Sequence, residues 1–121
     1  MDVSIEHVSD RMVVAVVGRL DTTSAPQFDA RLALELAQTM PPATASKMAE
    51  ARRRILLDMV GTTYVSSAGL RSILQLVKHT ASQGGRLGIF GATPHVMEVI
   101  EISGFPTLLD LYADRAAALA D

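Results

Sequence analysis

A strand-length apolar run, Ile55-Leu56-Leu57-Asp58-Met59-Val60, is followed by Tyr64-Val65-Ser66-Ser67-Ala68-Gly69-Leu70, and then by a helix-period segment from Leu70 to Gln83. No other feature of the chain restricts its fold as much. A run of this length and composition predicts a buried strand. In the segment after it, Leu70, Ile73, Leu74, Val77 and Ala81 fall at i, i+3, i+4, i+7 and i+11. That spacing predicts an amphipathic helix with those residues against a sheet and Arg71, Gln75, Lys78 and Ser82 on other faces. Ser66-Ser67 therefore stands where a buried strand hands over to a helix. The first N–H groups of a helix lack internal partners and carry partial positive charge. A serine there acts as a cap contributing about 1 kcal/mol, and it also exposes a hydroxyl where an anion is well received. A plain cap, a phosphoserine and a nucleophile all fit this position.

The rest of the chain alternates in the same way. Val3 to Val8 alternates apolar and polar residues, as a strand with one wet face does, and Ser9-Asp10 is turn chemistry. Met12 to Val17 is a valine-rich run that predicts a central strand, antiparallel to the first and closed by Gly18-Arg19-Leu20-Asp21. Ser24 and Gln27 have capping-box spacing, Pro26 suits a first helical turn, and Phe28, Leu32 and Leu36 form one stripe. Thr39 to Ala45, with Pro41-Pro42, predicts a loop, and Ser46 to Arg54 a short helix. Gly84-Gly85 stops the long helix, and Leu87 to Phe90 is a short strand. Thr93-Pro94 opens a helix with Val96, Val99, Ile100 and Ser103 inward and Gly104 as its stop. Leu108 to Leu111 predicts a last strand, and Asp114 caps a final alanine-rich helix. Such alternation implies helices packed on a partly parallel sheet.

At 121 residues the chain is of single-domain size. No apolar run approaches the roughly 20 residues of a membrane span. Met1 to Glu6 lacks the basic and apolar regions of a signal peptide. The absence of cysteine excludes disulfide and thiolate chemistry and fits a reducing cytoplasm. A net charge of −2 makes neither nucleic acid nor an anionic membrane an obvious partner.

Catalytic motifs are incomplete. Val65-x-Ser67-x-Gly69 is half of a G-x-S-x-G nucleophile elbow, with valine at the first glycine. His79 falls about three turns along the same helix, and His95 opens a different one. His7, His79 and His95 show no metal-ligand spacing. Gly84-Gly85-Arg86-Leu87-Gly88 lacks the Lys-Ser/Thr ending of a phosphate loop and follows a helix instead of a strand. Arg52-Arg53-Arg54 reads as a solvated helix end or, alternatively, as a contact for an acidic partner.

Gly18-Arg19-Leu20-Asp21, Tyr64 to Leu70, Gly84-Gly85 before a strand, and Ser103-Gly104-Phe105 come in the order seen in STAS domains. Over nearly its whole length the chain resembles the bacterial anti-sigma factor antagonists of that group. The resemblance implies an α/β fold, a single STAS-like domain over residues 1–121. It implies a mixed sheet of about four to five strands with helices packed mainly on one side. It further implies a cytoplasmic partner-switching protein that is not an enzyme and holds no cofactor or metal. Its partner would be a serine kinase of the histidine-kinase-like ATPase class, which also acts as the anti-sigma factor. Binding that kinase frees a sigma factor, phosphorylation of a serine at this helix start controls binding, and a serine phosphatase reverses it. Carried over by position, the D-S-[SA]-G-L pattern places the phosphoacceptor at Ser67. Ser66, where the family often has aspartate, is the second choice. That departure lowers the local negative charge and adds a competing acceptor. Asp21 matches the aspartate of the G-x-[LVI]-D turn and by resemblance lies near Ser67, although alone it reads as a turn or cap residue. Asp21, Ser66, Ser67, Gly69 and Arg71 are the expected partner-binding residues. The Gln38 to Arg54 connection is longer than in compact members. Two other readings fit the chain: a STAS interaction scaffold in a sensory or transport complex without sigma-factor release, and a small serine hydrolase.

Overall fold

The structure, a computed structural model, describes residues 1–8, 10–37 and 54–121. Strands β1 (Asp2–Val8) and β2 (Arg11–Leu20) lead to helix α1 (Ala25–Leu36). Then come β3 (Ile55–Asp58), β4 (Thr62–Val65), α2 (Ser67–Ser82), β5 (Gly88–Phe90) and α3 (Pro94–Ile102). A 3₁₀ turn (Phe105–Thr107), β6 (Asp110–Tyr112) and α4 (Arg115–Ala120) complete the described elements. The sheet runs β1-β2-β3-β5-β6, with β4 attached to β2. Only β1 is antiparallel, pairing Ile5 with Val14, and the other pairings are parallel.

The six strands exceed the four to five expected because one edge of β2 serves two partners. β3 pairs along Met12 to Ala15 and β4 along Gly18 to Leu20. Between them the chain turns at Val60-Gly61, where the Val60 N–H donates to Asp58 Oδ1 (3.0 Å) and the Gly18 N–H to the Gly61 carbonyl (2.9 Å). The register shifts between Gly18 and Arg19, with Gly18 at φ 100°. Glycine tolerates that conformation, and the extra residue is on β4, where Thr63 lies between the partners of Gly18 and Arg19 and locally bends the ladder. Thus Gly18 to Leu20 prolongs β2, where the sequence predicted closure.

Alternation along β2 divides the interior. Met12, Val14 and Val16 join Phe28 and Leu32 of α1, Ile73, Leu76 and Val77 of α2, and Val96 and Ile100 of α3 in the main core. Val13 faces the other way and packs with Leu56, Phe90 and Ala118 of α4. Of the described helices, three cover one face and a short one the other, as expected for helices mainly on one side.

Several local expectations are corrected. The buried stripe of α2 is Gly69, Ser72, Ile73, Leu76, Val77 and Thr80; Leu70 and Leu74 are half-buried and Ala81 is exposed. Gly69 sets this rotation, since a Cβ there would lie 2.4 Å from the Leu20 carbonyl oxygen, so the helix seats directly on the end of β2. The Thr80 hydroxyl reaches the carbonyls of Leu76 (3.1 Å) and Val77 (2.9 Å), which makes a buried polar residue tolerable. Ser24 makes no capping bond to its helix. Its hydroxyl donates to the Arg19 carbonyl (2.6 Å), because the turn begins earlier, at Asp21. Ser103 is exposed, with its hydroxyl on the Ile100 carbonyl (2.6 Å). The last strand begins at Asp110, and Leu108 is exposed. Thr93 and Asp114 cap as expected, accepting from Val96 N–H (3.3 Å) and Ala117 N–H (2.9 Å). Ser9, the Thr39 to Ala45 loop and the Ser46 to Arg54 helix lie outside the described residues, except that Arg54 itself is a bend.

Candidate functional site

The two serines hold different positions. Ser66 is the extended residue before α2 (φ −88°, ψ 178°), and its Oγ accepts the Gly69 N–H at 3.3 Å. Its own N–H donates to the Leu20 carbonyl (3.0 Å), and its carbonyl accepts the Leu70 N–H (2.8 Å). Ser66 is half-buried, and its hydroxyl oxygen serves as the cap. Ser67 is the first residue of α2 and is exposed, and among the described residues its hydroxyl has no hydrogen-bond partner. The available hydroxyl is therefore that of Ser67, set beside the helix's first N–H groups.

The Ser66–Leu20 bond joins this helix start to the β2–α1 turn. Asp21 follows Leu20 directly. Its Oδ1 accepts the N–H groups of Thr23 and Ser24 (3.1 Å each), and its Oδ2 receives Arg19 Nε at 3.3 Å. Hydrogen bonding by the Ser24 N–H, more than any other contact, holds the Asp21 carboxyl below its ordinary value. Asp21 is thus an ionised, pre-oriented carboxylate one residue from the group that holds the serine pair. Gly69, among the expected contact residues, is buried beneath the helix start, and its contribution is the close approach to Leu20. Arg71 is exposed one turn beyond Ser67.

Beside these lies a cluster the motifs did not indicate. The Arg19 guanidinium carbon sits 4.2 Å from the centre of the Tyr64 ring, and the His95 ring stacks on Tyr64 with centroids 6.3 Å apart and planes 20° apart. Arg19 and Tyr64 are cross-strand partners in β2 and β4. The sequence shows each residue, but their meeting depends on the shifted register.

Neither His79 nor His95 hydrogen-bonds Ser66 or Ser67 among the described residues. His79 Nε2 is buried with no hydrogen-bond partner among the described residues, next to the shallow groove between α1 and α2. No group of three or more potential metal ligands occurs among the described residues. No described helix is long and apolar enough to cross a membrane. A cavity of about 490 Å³ lies at the opposite end of the sheet, lined by Arg11, Arg54, Arg86, Asp110, Tyr112 and Asp121 with their neighbours. There burial and a hydrogen bond to Asp121 push the Tyr112 hydroxyl up to about 12.

Known proteins are similar to this chain in sequence and in architecture. A candidate anti-sigma factor antagonist, BtrV of Bordetella bronchiseptica, is 30% identical over 120 residues, covering 99% of this chain and 93% of the relative. A candidate anti-sigma factor antagonist from Thermotoga maritima superposes with a TM-score of 0.80 at 17% identity, over 98% of this chain and 92% of that one. The phosphorylated form of the Bacillus cell fate determinant SpoIIAA superposes with a TM-score of 0.68 at 16% identity, over 98% of each chain. The STAS domain family model matches residues 2–118, which takes in every strand of the sheet and the helix that begins at Ser67: the chain belongs to the STAS domain family.

Proposed function

We propose that this chain is a cytoplasmic anti-sigma factor antagonist, not an enzyme, whose binding to a switch kinase is controlled by phosphorylation of Ser67. The observation that carries the reading is the unequal use of the two serines. Ser66 is consumed as the cap, whereas Ser67 presents an exposed hydroxyl at the helix start. The names of BtrV and SpoIIAA support the functional class, and SpoIIAA is described in both an unphosphorylated and a phosphorylated form. The partner is a serine kinase of the histidine-kinase-like ATPase class that also sequesters a sigma factor, and a serine phosphatase resets the switch.

A phosphate on Ser67 adds about −1.5 to −2 charges. The unpartnered N–H groups of the first turn accommodate it within this domain, so the fold survives. The penalty falls on the interface, where a bulky anion meets a surface shaped for a neutral hydroxyl. Phosphorylation therefore weakens kinase binding without unfolding the protein. The test incubates wild type, Ser67→Ala, Ser67→Asp and Ser66→Ala with the kinase and ATP, maps phosphate by mass spectrometry, and titrates binding. Ser67→Ala should bind without regulation, Ser67→Asp should bind poorly, and Ser66→Ala should still be phosphorylated. Phosphate found only away from the serine pair, or equal affinity of Ser67→Ala and Ser67→Asp, refutes the reading. A fluorophosphonate probe that labels Ser67 stoichiometrically would instead establish the hydrolase.

A further inference from the structure

Helix α2 carries Arg71, Lys78 and His79 and no acidic residue. Six other described arginines, Arg11, Arg19, Arg31, Arg54, Arg86 and Arg115, each lie within 4.0 Å of a carboxylate. Among the described residues Arg71 and Lys78 have no such partner, and both are exposed. Two uncompensated cations on one helix are not a general surplus, since the chain carries a net charge of −2. Helix energetics does not call for Arg71 either, because a cation toward the N-terminal turns gains nothing from the helix dipole.

Their positions are ordered. Ser67 and Arg71 are four residues apart and Arg71 and Lys78 seven, so all three lie on one face of α2. Half-buried Leu74 and exposed Gln75 stand between the cations, and no carboxylate interrupts the row. The face spans roughly 16 Å from Ser67 to Lys78. Two cations on an acidic protein are too few to hold a nucleic acid backbone. They match instead a small acidic patch on a protein surface.

We propose that α2 docks an acidic surface of the partner kinase through Arg71 and Lys78, and that a phosphate on Ser67 competes for Arg71 within the same helix. This rests on the anti-sigma factor antagonist reading and adds to it the chemistry of the partner's surface and a means of release. A phosphoserine four residues before an arginine is within reach of a charge-assisted hydrogen bond. Once Arg71 turns to the phosphate, the partner's carboxylate loses its counter-charge and faces an anion instead.

The experiment titrates the switch kinase with wild type, Arg71→Glu, Lys78→Glu, the double variant, and Arg115→Glu, which makes on α4 the same charge change as each single variant. The double variant should bind about tenfold more weakly, mainly through slower association, and with a flatter salt dependence. Arg115→Glu should bind like wild type. Separately, with phosphoserine installed at position 67, a ³¹P titration should give a lower second ionisation in wild type than in Arg71→Ala. If wild type binds the kinase and the double variant binds as well as Arg115→Glu, the acidic docking surface is overturned. Identical ³¹P titrations overturn the competition for Arg71. If wild type retains no such kinase, the functional reading itself falls and this inference goes with it.

Discussion

Where β2, β3, β5 and β6 begin, Arg11 and Arg54 both meet Asp10 (3.4 and 2.8 Å), and Arg86 meets Asp110 (2.9 Å), around the 490 Å³ cavity. Where β2 and β4 end, Ser67 has no partner among the described residues, and neither has Arg71. Arg19 leans on an aromatic ring with only a 3.3 Å contact to Asp21. The first end spends its charges inside the chain, joining segments 44 and 24 residues apart. The second leaves its polar groups facing outward while fixing their backbone tightly, through Ser66 on Leu20 and Gly69 against the same carbonyl. A rigid frame with unsatisfied chemistry suits recognition of a partner, and a satisfied network suits cohesion of the chain.

The largest effect expected tests the frame. Ile73→Ala, at a fully buried site under α2, should cost about 2–5 kcal/mol. Leu74→Ala, half-exposed on the next position, should cost clearly less in the same urea melts. Equal losses would mean that α2 is not seated as described. Next comes Gly69→Ala, whose new Cβ would sit 2.4 Å from a backbone oxygen. Displacing the helix start should cost about 1–3 kcal/mol and weaken kinase binding as well, so unaltered binding would separate the seat from the site.

A smaller effect concerns acid. The Asp21 carboxyl is held below its ordinary value, so the folded chain binds that proton more weakly than the unfolded chain does. Its stabilisation is complete above the unfolded value of 3.8 and is lost as pH falls through the lower folded one. Urea melts of wild type should therefore decline more steeply with acidification than those of Asp21→Asn, and parallel curves would remove Asp21's role in the turn. The smallest effect belongs to the cavity end. Arg86→Ala breaks a half-exposed ion pair and should cost less than about 1 kcal/mol, with kinase affinity unchanged. A loss of affinity there would erase the distinction between the two ends.

Most of the frame was legible because it rests on local chemistry. Met12 to Val17 and Ile55 to Met59 are apolar runs that only a buried strand explains, and Thr93-Pro94 and Asp114 cap where their types predict. β4 was not legible. Thr62-Thr63-Tyr64-Val65 is too short and too polar to declare itself, and it becomes a strand only by pairing with an extended β2. The rotation of α2 escaped periodicity because buried Ser72 and Thr80 look polar on paper, whereas the glycine contact that sets the angle is long-range. Spacing puts the pair Ser66-Ser67 at the helix start and the family resemblance picks Ser67, but that Ser66 is the cap and Ser67 the exposed hydroxyl depends on the folded backbone. The Arg19, Tyr64 and His95 stack does not follow from spacing either, since it joins three segments through a register that only the folded sheet defines.

The register shift at Gly18 has a consequence for how the chain tolerates insertions and deletions. Successive strand residues face opposite sides, so a one-residue length change in the turn between β3 and β4 would send Tyr64 into the core and Val65 into solvent. It would also carry Ser66 away from Leu20. Length variation among natural homologues of this chain should therefore be absent at Val60-Gly61 and gather between α1 and β3, where lengthening a connection costs only about 0.6 kcal/mol per doubling. An aligned set of such sequences would carry that asymmetry as a record of the constraint, visible without any measurement on the protein.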